Sequence, residues 1–253
     1  MQEIVQSVDR SLSILEVLSD YENGLGITEI SEKVNLHKST VHRLLATLIY
    51  KGYVEQEDKA NKYKLTLKLF ELGNKKIQKM DLVTVARPYL KELVEKTNEV
   101  VHLVVREGTE IIYVGKEESQ NTIRTHSRIG HRRPLYCTAV GKSILSYMED
   151  DQIEEIWNKS NVEKLTEHTI TDFNEFKKYL NEVRKNRYAV DEQENEIGVR
   201  CVGTSIFNYK GEVCGAISIS GSIISFTKEK LEEFSKLVIE YAEKISRELG
   251  YRG

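Results

Sequence analysis

Proline, cysteine and long apolar runs are what this chain has least of. There are two prolines and three cysteines in 253 residues. Cys137, Cys201 and Cys214 are odd in number, widely spaced and without a CxxC pair, which argues against a disulfide framework or a cysteine-rich zinc site and suits a reducing compartment. No apolar run approaches the roughly 20 residues that span a bilayer. The start, MQEIVQSVDR, also lacks the apolar core of a secretion signal, so a cytoplasmic protein with no membrane partner is expected. Internal repeats and low-complexity stretches are absent. An excess of cations is absent too: 37 Lys and Arg against 40 Asp and Glu leave a formal charge of −3. That argues against binding nucleic acid with the whole surface and confines any such contact to a local patch. Few prolines beside abundant Lys, Glu and Ile would suit a thermophile. With 40% hydrophobic residues, the length allows one or two domains with sizeable cores.

One stretch breaks the acidic trend. From Lys33 through Val54 there is no carboxylate, and the surrounding run Thr28–Lys51, TEISEKVNLHKSTVHRLLATLIYK, has the pattern of two short helices and a tight turn. In the second of these helices Val41, Leu44, Leu45 and Leu48 share one face. Ser39, His42, Arg43, Ala46 and Thr47 project from the other, small, polar and cationic, so that phosphates approach without repulsion. This is a helix-turn-helix suited to double-stranded DNA. Lys38, Ser39, Thr40 and Arg43 are its foremost candidate contacts, Arg43 as base reader and Lys38 on a phosphate, with His42 and Thr47 next. Before it, residues 4–20 predict a helix with Val8, Leu12, Leu15 and Leu18 inward, stopped at Asn23-Gly24. Thr28 is placed to cap the short helix carrying Ile30 and Val34, and Gly52 to end the third helix. After it, YVEQE and KYKLT alternate around Asp58-Lys59-Ala60-Asn61 and predict a β-hairpin, a wing. Lys59, Lys62 and Lys64 either reach toward a DNA backbone or protect the hairpin's edge.

A linker helix is expected next, with Leu67, Phe70 and Leu72 apolar and Lys68, Lys75, Lys76 and Lys79 polar. A further helix, Val83–Thr97, carries Pro88 close to its start and Leu90, Leu93 and Val94 as a stripe. The remainder reads as α+β: VVHLVV, EIIYVGK, RCVGTSIF and CGAISISG are strands, and helices fall near 139–148, 151–158, 172–187 and 227–248. Asp172-x-x-Glu175 offers a capping box and Thr227 a cap.

Candidate chemistry is concentrated in this second part. Thr138 precedes a helix whose first N–H groups have no partner within it, a setting that favours a carboxylate or phosphate. Ser218 and Ser220, two apart on a strand, share a face opposite Ile217 and Ile219 and can hold a polar ligand or simply line a packed sheet. Gly141-Lys142-Ser143 resembles the end of a phosphate-binding loop, but Tyr136 stands where that loop needs a glycine. Lys142 is then expected as a helix-surface cation or a carboxylate's partner. Cys137, Cys201, His102, His126 and His131 show no nucleophile–base arrangement, and His102, His126 and Cys137 no metal-ligand spacing, so neither catalysis nor a metal or cofactor is expected. Cys201 alone reads as a small buried hydrophobe. Arg124, His126, Arg128, His131, Arg132 and Arg133 form a cationic segment, read as an ordinary solvated loop rather than a lid.

HKSTVHRLLATLIYKGYVE with KYKLTLKLFELG, LYCTAVGKSILS, and RYAVDEQENEIGVRCVGTSIFNYKGEVCGAISISG together resemble the IclR family of bacterial transcriptional regulators along nearly the whole chain. The resemblance implies an α+β protein of two domains: a winged helix-turn-helix over 1–66, a linker helix over 67–81 and a GAF-like α/β effector-binding and oligomerisation domain over 82–253. It implies dimers or dimers of dimers on a pseudo-palindromic operator. It also implies control, as a repressor of a catabolic operon, by a small organic or sugar acid. On the family's pattern, that acid is held by backbone amides at Ala139 and Val140, by Asp191, Cys201, Ser218 and Ser220, and by apolar neighbours including Val199. Relatives often have Gly-Ala where this chain has Ala139-Val140, which implies a tighter pocket. The alternative is an architectural DNA-binding protein whose distal domain only oligomerises.

Overall fold

The structure, a computed structural model, describes residues 4–57, 61–77, 81–118 and 127–253. Lys59, Lys79, Arg124 and His126 lie outside the described residues, as does most of the hairpin turn. The chain divides into two compact units, residues 1–79 and 80–253.

The first unit is built from α1 (Gln6–Ser19), β1 (Leu25–Gly26), α2 (Ile27–Lys33), α3 (Lys38–Tyr50), β2 (Val54–Glu57), β3 (Lys62–Leu65) and α4 (Lys68–Ile77). Ile14, Leu15, Leu18, Ile30, Val41, Leu45 and Leu48 form one core with Val54 and Tyr63 of the wing. Two positions of the expected α1 stripe stay out of it: Val8 is 56% and Leu12 53% exposed. The burying face runs through Ile14 and Leu18, and the first half of α1 projects beyond the core. The cap of α2 is Gly26 rather than Thr28, because Glu29 Oε2 reaches back to accept from the Gly26 N–H at 2.7 Å. Asn35, at φ +50°, makes the turn into α3, and Gly52, at φ +77°, lets the chain leave it. The wing gains a strand the sequence pattern did not show, since the two-residue β1 pairs with β3.

The second unit comprises α5 (Asp81–Thr97), β4 (Val100–Glu107), β5 (Glu110–Glu117), β6 (Arg132–Pro134), α6 (Ala139–Ser146), α7 (Asp150–Lys159), α8 (Phe173–Asn186), β7 (Ala189–Glu192), β8 (Val199–Phe207), β9 (Val213–Ser222) and α9 (Lys228–Glu248). Among the described residues six strands pair in the order β6-β5-β4-β9-β8-β7, every pairing antiparallel. Val101, Leu103, Val202, Ile217 and Ile219 point to one face and form a core with α5 and α9. On the other face α6 packs with α8 around Leu135, Ile144 and Phe176. Pro88 sits in the middle of α5 and not near its start. The short edge strands β6 and β7 were hidden because Arg132–Pro134 and Ala189–Glu192 are too brief to alternate visibly.

Candidate DNA-contact helix and ligand site

In α3 the expected division of faces is present. Val41, Leu45 and Leu48 are buried, Leu44 half-buried, and Lys38, Ser39, His42, Arg43, Ala46 and Thr47 exposed, with Thr40 between. The Thr47 hydroxyl donates to the Arg43 carbonyl at 3.2 Å, which leaves it only acceptor capacity outward. In the wing, Lys64 faces Glu55 across the hairpin at 3.5 Å, so its charge is shared, whereas Lys62 is half-buried beside Glu57.

The ligand candidates converge through strand register. Asp191 is paired with Cys201 and Cys201 with Ser220, and one row along Gly203 is paired with Ser218 and Ser218 with His102. Alternation therefore places Asp191, Cys201, Ser218, Ser220 and His102 on a single face, the face covered by α6. Asp191, Ser218 and Ser220 are buried, Cys201 less so, and Val199 lies on the same face at the half-buried start of β8. Above them sits the start of α6. Thr138 Oγ1 accepts from the Gly141 N–H at 3.2 Å, while the N–H groups of Ala139 and Val140 have no acceptor within the helix. Gly203 is what admits this helix so closely: a Cβ there would stand 3.0 Å from the Val140 nitrogen.

Gly141 has a packing role rather than a phosphate-cradling one, since a Cβ on it would meet the Leu135 carbonyl oxygen at 2.3 Å. Lys142 is fully buried and not a helix-surface cation; it pairs with Glu194 and lies over the Tyr179 ring at 4.6 Å. Burial opposes its charge, but Glu194, Tyr179 and Asp191 outweigh that and keep it protonated. Asp191 Oδ1 accepts from the N–H groups of Glu194, at 2.7 Å, and Asn195, at 3.3 Å. Burial nevertheless pushes the Asp191 acid up to about 7, with Lys142 opposing and Glu194 reinforcing. One buried ammonium thus stands beside two carboxylates.

The thiols around the site are held in their neutral form. Burial, and next the charge of Asp191, raise Cys137 to about 12, and the same causes push Cys201 up as well. Among the described residues no group of three His, Cys, Asp or Glu could hold a metal ion. His102, Tyr113, Lys142, Glu194 and Gly203 were not expected at the site. Two of them had a visible signal: His102 as a polar residue interrupting VVHLVV, and Lys142 in Gly141-Lys142-Ser143, expected as a surface cation or a carboxylate's partner. In the cationic segment Arg132 belongs to β6 and pairs with Glu107 and, at 3.3 Å, Glu110.

A winged helix-turn-helix and a second, α/β unit in one chain define a class, the DNA-binding regulators of transcription. The profile described as the IclR helix-turn-helix domain matches residues 7–58, and that of the bacterial transcriptional regulator IclR C-terminal domain matches residues 74–247. The chain belongs to the IclR family of bacterial transcriptional regulators. It is similar to the HTH-type transcriptional regulator KdgR of Escherichia coli, at 39% identity over 98% of this chain and 94% of the relative. The crystal structure of the Thermotoga maritima IclR is similar at TM-score 0.84 and 35% identity, covering 97% of this chain and 99% of that one. An IclR homologue from Microbacterium hydrocarbonoxydans, complexed with 4-hydroxybenzoate, shares the fold at TM-score 0.84 and 20% identity over 96% of this chain and 98% of that one. Like these relatives, the chain is a regulator and not an enzyme. Among the described residues no helix is long and apolar enough to cross a membrane.

Proposed function

We propose that this chain is a cytoplasmic repressor of a catabolic operon, whose affinity for a pseudo-palindromic operator is set by a small organic or sugar acid held in the second unit. The observation that carries the reading is the set Asp191, Cys201, Ser218 and Ser220 on one strand face beneath the first turn of α6. Amides at a helix start suit a carboxylate, and the side chains below supply several polar contacts for the rest of the molecule. That the homologue from Microbacterium hydrocarbonoxydans was solved with 4-hydroxybenzoate, itself a small acid, supports the ligand class.

On the DNA side, Lys38 and Arg43 stand on an exposed face without a carboxylate from residue 33 to 54. Self-association as a dimer or dimer of dimers follows from two-fold recognition of matched half-sites. It is also supported by apolar side chains left uncovered in one copy: Ile4, Val5, Val8 and Leu12 at the start of the first unit, and Leu67 and Phe70 at α4. The helix α4 is the lever in this reading. The acid can alter operator affinity only by binding the competent and incompetent arrangements unequally. A thermal-shift screen of 2-oxo acids and sugar acids, followed by operator binding with and without each hit, tests the proposal. Hits that stabilise the protein and change operator affinity support it; a screen with no hits speaks for a second unit that only oligomerises.

A further inference from the structure

His102 is 4% exposed near the start of β4, which lies between β9 and β5 in the sheet, and its ring meets that of Tyr113 with centroids 4.9 Å apart. Its Nδ1 lies 3.3 Å from Ser220 Oγ and its Nε2 2.7 Å from Ser127 Oγ. Ser220 Oγ in turn lies 3.5 Å from Ser218 Oγ. Burial, with Lys116 nearby, pushes the imidazole down to about 3, so it is neutral. A neutral imidazole has one N–H and one lone pair on its two ring nitrogens. The two hydrogen bonds of His102 must therefore run with opposite polarity, one donated and one accepted.

This fixes what Ser220 can offer a ligand. With the proton on Nε2, His102 donates to Ser127 and accepts the Ser220 hydroxyl proton, and Ser220 turns only lone pairs to the pocket. With the proton on Nδ1, Ser127 donates to Nε2, Nδ1–H donates to Ser220, and the Ser220 proton is free to reach outward. A carboxylate or keto oxygen can only accept. Such a group is compatible with the second polarity and not with the first.

We propose that His102 is a positioning residue of this pocket, and that its Nδ1–H tautomer makes Ser220 the hydrogen-bond donor to an acceptor oxygen of the bound acid. The inference rests on the reading of the site as an acid pocket. It assigns the chemistry at Ser220: the ligand presents a carboxylate or keto oxygen there and accepts from its hydroxyl. Cys201, whose thiol also hydrogen-bonds Ser220, is held neutral by burial, and two further neighbours do not supply the same effect. Lys116 Nζ is engaged by the Ser127 carbonyl at 3.0 Å and by Glu118 at 2.8 Å, and burial raises the Tyr113 phenol's pKa and keeps it neutral.

The test uses the full chain with histidines labelled with nitrogen-15, and pyruvate and gluconate as probes at saturating concentration. Long-range proton–nitrogen spectra report the tautomer of His102, picked out among the six histidines by its loss in His102→Asn. The expected result with bound acid is a protonated Nδ1 and a bare Nε2. In calorimetry His102→Leu should weaken acid binding by about tenfold, the upper end for one hydrogen bond, whereas His102→Asn, whose amide can donate from near the Nδ1 position, should stay within about threefold of the parent. A purely structural histidine would show no such rescue. An Nε2–H tautomer in the complex, or equal loss in both variants, overturns the inference while leaving the acid pocket in place. Binding of neither probe overturns the acid-pocket reading and this inference with it. Because the tautomer is read on the parent chain, a failure of His102→Leu to fold does not remove the test.

Discussion

Lys142 and Glu194, 52 residues apart in the chain, form an ion pair that is nearly sealed from solvent. The pair joins α6 to the turn after β7, and among the described residues Glu194 Oε2 has no hydrogen-bond partner. Removing Glu194 leaves the buried Lys142 ammonium with only the Asp191 carboxyl, itself raised to about 7, and the Tyr179 ring beside it. Glu194→Gln should therefore destabilise the second unit by about 3–5 kcal/mol, and replacement of both residues by apolar ones should recover much of that loss. Urea unfolding of the single and double variants checks this; a single variant as stable as the parent would mean that water reaches the pair.

Asp191 makes the unit's stability depend on pH. Its acid is raised in the folded state from 3.8 to about 7, first by burial and then by Glu194 against the opposing Lys142. The folded state therefore binds the proton more tightly than the unfolded one. Stability from this group is present below pH 4 and is lost as pH rises toward 7. Asp191→Asn, which keeps an oxygen for the Glu194 and Asn195 N–H groups, should gain stability relative to the parent at pH 8 compared with pH 5. Denaturation of both proteins at the two pH values measures it, and a constant difference would show that Asp191 is ionised throughout.

Arg43 and Lys38 should separate base reading from phosphate contact. Arg43→Ala is expected to weaken specific operator binding by ~1–3 kcal/mol and relax preference at one base pair. Lys38→Ala should weaken all DNA alike and reduce the salt slope. Binding titrations on the operator and on scrambled DNA at several salt concentrations distinguish them. Unchanged affinity and base preference in a folded Arg43→Ala protein would remove α3 from the groove.

Much of this was legible in the sequence, and the omissions have physical causes. The α3 faces could be read because burial repeats at helical spacing over 13 residues and the turn residues flank it. The Ser218 and Ser220 pair could be read because strand alternation fixes a face within one segment. Register between strands is not a local property, so the rows joining Asp191 to Cys201 to Ser220, and Ser218 to His102, appeared only in the fold. Lys142 could be read as a carboxylate's partner, but its partner Glu194 and its burial were hidden for the same reason: nothing near either residue marks it as buried. Val8 and Leu12 misled in the opposite direction, since an apolar stripe says that a helix wants cover and not where the cover comes from.

The second unit should stand alone. Its two cores close without residues 1–79, so a fragment from Asp81 to Gly253 is expected to fold cooperatively and bind the same acids as the full chain, without binding DNA. Thermal melting and calorimetry of the fragment check this, and an acid that binds only the full chain would move the site out of the unit.

The central claim, that an acid held at the Ser218 and Ser220 face controls DNA binding, is tested by one titration. Operator affinity is measured with and without the acid for the parent and for the double variant Ser218→Ala with Ser220→Ala. Loss of two hydrogen bonds, each worth about 0.5–1.5 kcal/mol, should weaken acid binding by about 5- to 150-fold. The account predicts that the acid changes operator affinity of the parent by about 5–150-fold and that, at the same acid concentration, the double variant fails to respond. A double variant that responds as the parent does would contradict it.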